Sequence, residues 1–144
     1  MRIAKILGIV ALVYVLLVTV FESLLGYFQP QGPGTLVITT TDADGNPHDR
    51  VLSELESDGK AYVAVNHWPR AWYGHVLANP EVTIRRGEDP VGQPHTAVAV
   101  AGEEEVRVAA DNPTGVVFRI LTGFPPRHFV RLDPKDETAP SSAP

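Results

Sequence analysis

The chain is 144 residues long, 44% hydrophobic and 20% charged, with 12 Lys and Arg set against 17 Asp and Glu for a formal net charge of -5. That length holds one folded domain of ordinary globular composition, which excludes wholesale disorder and a collagen-like chain. The acidic balance argues against a nucleic-acid binder, whose face must neutralise phosphates, and the absence of cysteine removes disulfides, thiolate metal sites and a cysteine nucleophile.

From Ile6 to Phe21 every residue is apolar or small except Tyr14 and Thr19, and after Glu22 and Ser23 the run resumes through Phe28. About 23 helical residues rise about 35 Å, enough for a hydrocarbon layer of about 30 Å. Apolar residues cover the whole circumference, so an interfacial amphipathic helix fits poorly. The run is longer than the apolar part of a signal peptide, and no Ala-x-Ala site follows it before Gln29. A buried core helix would need protein on every side, more than the remaining chain supplies. Residues 1–28 therefore read as a single-pass membrane anchor. Arg2 and Lys5 precede the span and no Lys or Arg follows it before Arg50, which predicts a cytoplasmic N-terminus and an external domain.

Residues 29–34, rich in Pro and Gly, read as a linker. Strands are predicted at Thr35–Thr41, His48–Glu56 and Lys60–Asn66, with turn chemistry at Asp42 to Pro47 and Ser57-Asp58-Gly59. Asn66 to Pro80 reads as one short helix with a lead-in loop: Pro69 suits the first turn, Trp72 pairs with Val76 and Tyr73 with Leu77, and Asn79-Pro80 stops it. Strands follow at Glu81–Arg86, His95–Ala101, Glu103–Val108 and Arg127–Leu132, with a second short helix begun by Asp111-Asn112-Pro113. Residues 135–144 read as a disordered tail. About six to seven short strands with one or two short helices favour a mostly antiparallel barrel over 35–134, because so few helices cannot cover both faces of a parallel sheet.

The run Leu36-Val37-Ile38-Thr39-Thr40-Thr41, a Gly-Asn-Pro turn, Ala71-Trp72-Tyr73, Leu77-Ala78-Asn79-Pro80-Glu81-Val82 and the terminal Phe129-Val130-Arg131-Leu132-Asp133-Pro134 resemble the deazaflavin-dependent nitroreductase family, within the pyridoxamine-phosphate-oxidase-like split β-barrels. The resemblance implies a split barrel that holds coenzyme F420, or FMN in cousins, in a groove beside the third strand and the following helix. It also implies hydride transfer to quinones, nitro compounds or other electron-poor acceptors, with the chemistry carried by the cofactor. Some relatives of this barrel bind haem, and a barrel that has lost its cofactor is the non-catalytic alternative. The family often builds its groove between subunits, which makes a homodimer an expectation. An F420-dependent activity would favour a cytoplasmic domain, against the charge bias.

The chain departs from the family at its first turn, where a basic segment is replaced by Asp42-Ala43-Asp44-Gly45, which would repel an anion. Arg50 and Arg70 are the candidates to replace that positive charge; the plainer reading of Arg50 is an edge charge paired with Asp49 or Glu54. Arg70 precedes a helix, where the macrodipole disfavours a cation unless an anion is bound. His67 and Trp68 lie in the loop that lines the cofactor groove in such barrels, and Trp72 and Tyr73 follow as cofactor contacts or core aromatics. His75, standing where the family usually has Asn, is the candidate proton donor. No metal site is expected, since the five histidines show no i, i+4 pair.

Overall fold

A first helix, α1, covers Arg2–Tyr27, and the barrel strands are β1 (Thr35–Thr41), β2 (Pro47–Ser57), β3 (Lys60–Val65), β4 (Glu81–Arg86), β5 (Gln93–Ala99) and β6 (His128–Pro134). Three short helices join them: α2 (Ala71–Ala78), α3 (Glu103–Asp111) and α4 (Val116–Leu121). The computed structural model describes residues 2–29, 32–65 and 70–135. The strands close in the order β1-β2-β3-β6-β5-β4, and every neighbouring pair is antiparallel.

β2 is the strand that splits the barrel. Its first part pairs with β1, from Thr41↔Pro47 to Thr35↔Ser53, and its last four residues pair with β3, from Glu54↔Val63 to Ser57↔Lys60. β1 shows the period-2 pattern of a strand with one face inside: Leu36, Ile38 and Thr40 are buried and the residues between them are not. The inner face gathers Leu36, Ile38, Val63, Val65, Val82, Ile84, Ala97, Val130 and Leu132, and α2 adds Trp72 and Val76 to that cluster. A second cluster lies outside the sheet, where Tyr62, Val100 and Phe129 pack under Val108 of α3. Adjacent residues on β3 and β6 thus serve two cores, Val63 and Val130 in one, Tyr62 and Phe129 in the other.

The segment Glu103–Val108, expected as a strand, is the start of α3. Its Glu105-Val106-Arg107-Val108 alternation mimics a strand, but Glu103, Glu104 and Glu105 occupy the first helical turn, where carboxylates oppose the macrodipole's positive end. Ala109 and Ala110 extend the helix at low cost in propensity. The second short helix begins at Val116 rather than at Asp111, which instead closes α3 and accepts a hydrogen bond from the Ser57 hydroxyl at 2.6 Å. Lys135, expected in the tail, is pinned to the barrel: its amide donates to the Pro94 carbonyl at 3.0 Å and its ammonium meets Glu81.

Among the loops, Gly92 is the most constrained. Its φ is +75°, and a Cβ there would stand 2.6 Å from the Arg85 side chain and 3.1 Å from the Ile84 carbonyl, so both conformation and space call for glycine.

α1 is long and apolar enough to cross a membrane over Ile3–Tyr27. Most of it stands clear of the barrel. Only Val18, Phe21, Glu22, Leu25 and Gly26, recurring at helical spacing, are half-buried, and they form the face turned toward the domain.

Candidate functional site

Two cavities meet where the end of α1 reaches the barrel. One, of about 530 Å³, is lined by Asp42 and His48 at the β1–β2 turn, Asp49 and Arg50 on β2, and Arg70, Trp72 and His75 at α2. The other, of about 290 Å³, is walled mostly by apolar groups, among them Leu25 of the first helix and Phe28 just after it, Leu52 and Leu55 of β2, and Phe118 of α4. Arg50, Arg70 and Trp72 line both.

β2 and α2 position these side chains. Arg50 sits opposite Ile38 in the β1–β2 ladder and reaches the last turn of α1, where its guanidinium donates to the Leu25 carbonyl at 3.3 Å and the Gly26 carbonyl at 3.0 Å. The final carbonyls of a helix have no partners within it, and a cation there also complements the dipole. Arg70, the residue before α2, donates to Glu22 at 2.8 Å. Neither arginine takes the local pairing that a strand-edge charge would suggest: Asp49 pairs with Arg85, and Glu54 with Arg86.

The charge balance of the polar groove follows from these contacts. Asp42 is held far below the usual carboxylate range, first by the His48 side chain at 2.8 Å and then by the Asn46 backbone and side chain. Asp49 is lowered chiefly by the Thr39 hydroxyl, with Arg85 adding to it. Each carboxylate is thus ionised and has its own partner. Arg50 differs: its described partners are neutral carbonyl oxygens, and both burial and the charge of Arg70 lower its pKa. A partly buried guanidinium beside a second one, facing no carboxylate among the described residues, is a place where an anion gains.

His75 is oriented from within the barrel. Its Nδ1 shares a hydrogen bond of 3.1 Å with the Thr40 hydroxyl, a fully buried group on the inner face of β1. Its ring lies 5.1 Å from that of His48. Fixing one ring nitrogen leaves Nε2 as the nitrogen available to a bound molecule.

The structure therefore brings Arg50, Arg70, Trp72 and His75 to one groove. It does not bring Tyr73 there. That ring packs on the inner core and stacks on His128 with centroids 6.0 Å apart, because its position on α2 faces away from the β1–β2 turn. Trp72 is itself nearly buried, so it offers an edge rather than a stacking face. His67 and Trp68 lie outside the described residues. Sequence reasoning missed Asp42, His48 and Asp49 as groove residues. The turn at Asp42–Asn46 was legible, but only the ladder shows that it folds back over α2.

A tricyclic flavin-like group bearing a phosphate would meet two guanidinium groups in this groove. The donor set suits one phosphate, since each guanidinium keeps N–H groups beyond those it already uses. Asp42 and Asp49 stand on the opposite wall, so an acidic tail on such a group would have to leave the groove on the arginine side.

No known protein family matches the sequence, and no curated protein does. Solved structures do match in shape. The haem storage protein HutZ of Vibrio cholerae aligns at a TM-score of 0.53 and 22% identity, over 80% of this chain and 90% of that one. A candidate pyridoxamine 5'-phosphate oxidase of Listeria innocua aligns at 0.50 and 18%, over 83% and 94%. An F420-H2 dependent reductase (FDR-A) aligns at 0.49 and 23%, over 69% and 94%. At such identities the shared property is the fold, a split β-barrel of the kind the sequence motifs indicated.

Proposed function

We propose that this protein is a membrane-anchored oxidoreductase that holds a deazaflavin, coenzyme F420, in the polar groove and reduces an electron-poor, lipophilic acceptor. The observation that carries the reading is the meeting of a polar, cation-bearing cavity with an apolar one at Arg50, Arg70 and Trp72, beside the end of a helix able to cross a membrane. The motif resemblance over Ala71-Trp72-Tyr73 and Leu77 to Val82 supports the choice of deazaflavin, with FMN as the nearest variant.

When bound, the cofactor supplies a hydride. The chain's own residues do the rest. Arg50 and Arg70 hold the cofactor's phosphate, and their charges favour the negative charge that develops on a reduced acceptor. His75, its Nδ1 fixed by Thr40, presents Nε2 to give a proton to the product. The apolar cavity excludes water around the acceptor ring, and the membrane anchor keeps the domain beside membrane-dissolved substrates. A second copy of the chain completing the groove belongs to the same reading, and light scattering on the solubilised protein measures it.

Titration of the detergent-solubilised chain with F420, followed by fluorescence, tests the proposal. Saturable binding that weakens on Arg50→Ala supports it. No binding at high micromolar F420 by a protein whose circular dichroism shows it folded overturns it.

A second reading has one observation in its favour. His48 and His75 sit together in the polar groove, and the V. cholerae neighbour stores haem. Haem held by His75 would give a Soret band that disappears in His75→Ala and survives in Arg70→Ala.

A further inference from the structure

The short helix α4 packs against α1 rather than against the barrel wall. The Tyr14 hydroxyl donates to the Ile120 carbonyl at 2.8 Å, Phe21 meets Phe118 edge to face at 6.2 Å, and Gly123 lies against Val18. These contacts fall one, four and eight residues before Glu22, the residue that Arg70 ties to the domain. At 1.5 Å per residue they lie about 2, 6 and 12 Å along the helix axis from Glu22, on the side away from the barrel.

On the membrane-anchor reading the span covers Ile3–Tyr27, so its barrel-side end at Tyr27 marks the level at which α1 leaves the hydrocarbon. Whatever touches α1 at Phe21, Val18 and Tyr14 is then below that level. α4 meets those residues while turning apolar side chains outward: Val116 is 67% exposed, Val117 71% and Phe124 55%. An apolar patch on a water-facing helix is unfavourable, and lipid beside the span removes that cost.

The polar groups behind the patch fit the same level. Arg119 lies over the Phe124 ring at 5.3 Å, and Arg127 donates to the Asn112 carbonyl. Both line a cavity of about 420 Å³ with Thr114, whose hydroxyl oxygen is buried without a hydrogen-bond partner among the described residues. An exposed guanidinium beside an apolar patch, as Arg119 is, is placed as a cation that reaches lipid phosphates.

We infer that α4 and Phe124 are immersed in the leaflet on the barrel side, so that the domain holds the phospholipid bilayer at a second point besides α1. The occupant of this surface is phospholipid, acyl chains on Val116 and Val117 and a phosphate at Arg119. The inference rests on the membrane-anchor reading above. With two points of attachment, the cavity between α1 and the barrel is held at a fixed height over the lipid.

The absence of cysteine makes the test direct. Single nitroxide labels on Val116→Cys, Val117→Cys, Leu12→Cys and Asp44→Cys are compared in the full chain, reconstituted into phosphatidylcholine–phosphatidylglycerol vesicles. Collision rates with oxygen and with a water-soluble nickel chelate are the readout. Leu12 lies within α1, and Asp44 at the acidic tip of the β1–β2 turn. Labels at 116 and 117 are expected to collide with oxygen several-fold more, relative to nickel, than the label at 44, and to approach the label at 12. Labels at 116 and 117 matching the label at 44, while 12 stays shielded, overturn the inference and leave the anchor standing. A nickel-accessible label at 12 overturns both.

Discussion

The Arg70 guanidinium lies 2.8 Å from the Glu22 carboxylate, and this ion pair joins the start of α2 to the barrel-side end of α1. Both side chains are largely buried, so each has given up water that its partner must replace. Arg50 adds its bonds to Leu25 and Gly26 one turn further on. The first helix, long and apolar enough to cross a membrane, is therefore also a wall of the candidate site.

Removing one partner should show that coupling. Arg70→Ala is expected to destabilise the domain by about 1–3 kcal/mol, the cost of a desolvated polar group losing its partner. A double-mutant cycle with Glu22→Gln should give a coupling of about 0.5–3 kcal/mol. Thermal unfolding followed by near-ultraviolet circular dichroism in detergent checks it, and additive effects would show that the pair does not hold the helix.

The Thr40–His75 hydrogen bond makes a kinetic prediction. If His75 gives the proton, His75→Ala should lower kcat with reduced F420 and a quinone by about 10²–10⁴-fold, the usual range for a general acid. Thr40→Val, which keeps His75 but removes its orienting bond along with a longer one to the His48 carbonyl, should cost less and leave F420 affinity unchanged. Equal losses in both variants would point to a folding defect instead.

Two glycines separate conformation from space. Gly45 and Gly92 both have positive φ, but a Cβ at Gly45 meets nothing within 4 Å. Gly45→Ala should cost about 1–2 kcal/mol for the left-handed backbone alone. Gly92→Ala should cost about 2–5 kcal/mol, since overpacking against Arg85, Thr83 and Ile84 is added to the same backbone term. Urea midpoints of the two variants compare them.

Acid should weaken the contact between α3 and β6. Arg131 meets Glu104 at 2.8 Å and Asp133 at 2.7 Å, and lowers the pKa of both carboxyl groups in the folded state. The unfolded state therefore binds protons first. The stabilisation is complete above the ordinary values of 4.5 and 3.8 and is lost as pH falls through the lowered folded ones. The melting temperature should drop as pH is taken below about 4, and the drop should be shallower in Glu104→Gln.

The strands at Thr35–Thr41, Lys60–Val65 and Glu81–Arg86 were legible because β-branched residues and turn signals bounded them clearly. α2 was legible from Trp72 and Val76 on one face and from its Asn79-Pro80 stop. α3 was misread because Val106 and Val108 alternate with charged residues, and only the packing of Val108 under Tyr62 and Phe129 decides for a helix. Arg50 and Arg70 could be picked out as unusual cations, but their partners on α1 lie 24 or more residues away in sequence. Local pattern carries no information about such contacts. Tyr73 looked like its neighbour Trp72, and one residue of helical rotation sent it to the other side of α2.

The β1–β4 ladder, which pairs Leu36 with Arg86 and Thr39 with Thr83, seals the sheet into a ring. β1 then has hydrogen-bonded neighbours on both sides, and so does every other strand of the circuit. Few amides are then left for a foreign strand to zip onto, chiefly along the stretch of β2 that pairs with β1 alone, Pro47–Ser53. Strand-to-strand addition between copies of this protein is therefore largely confined to that stretch.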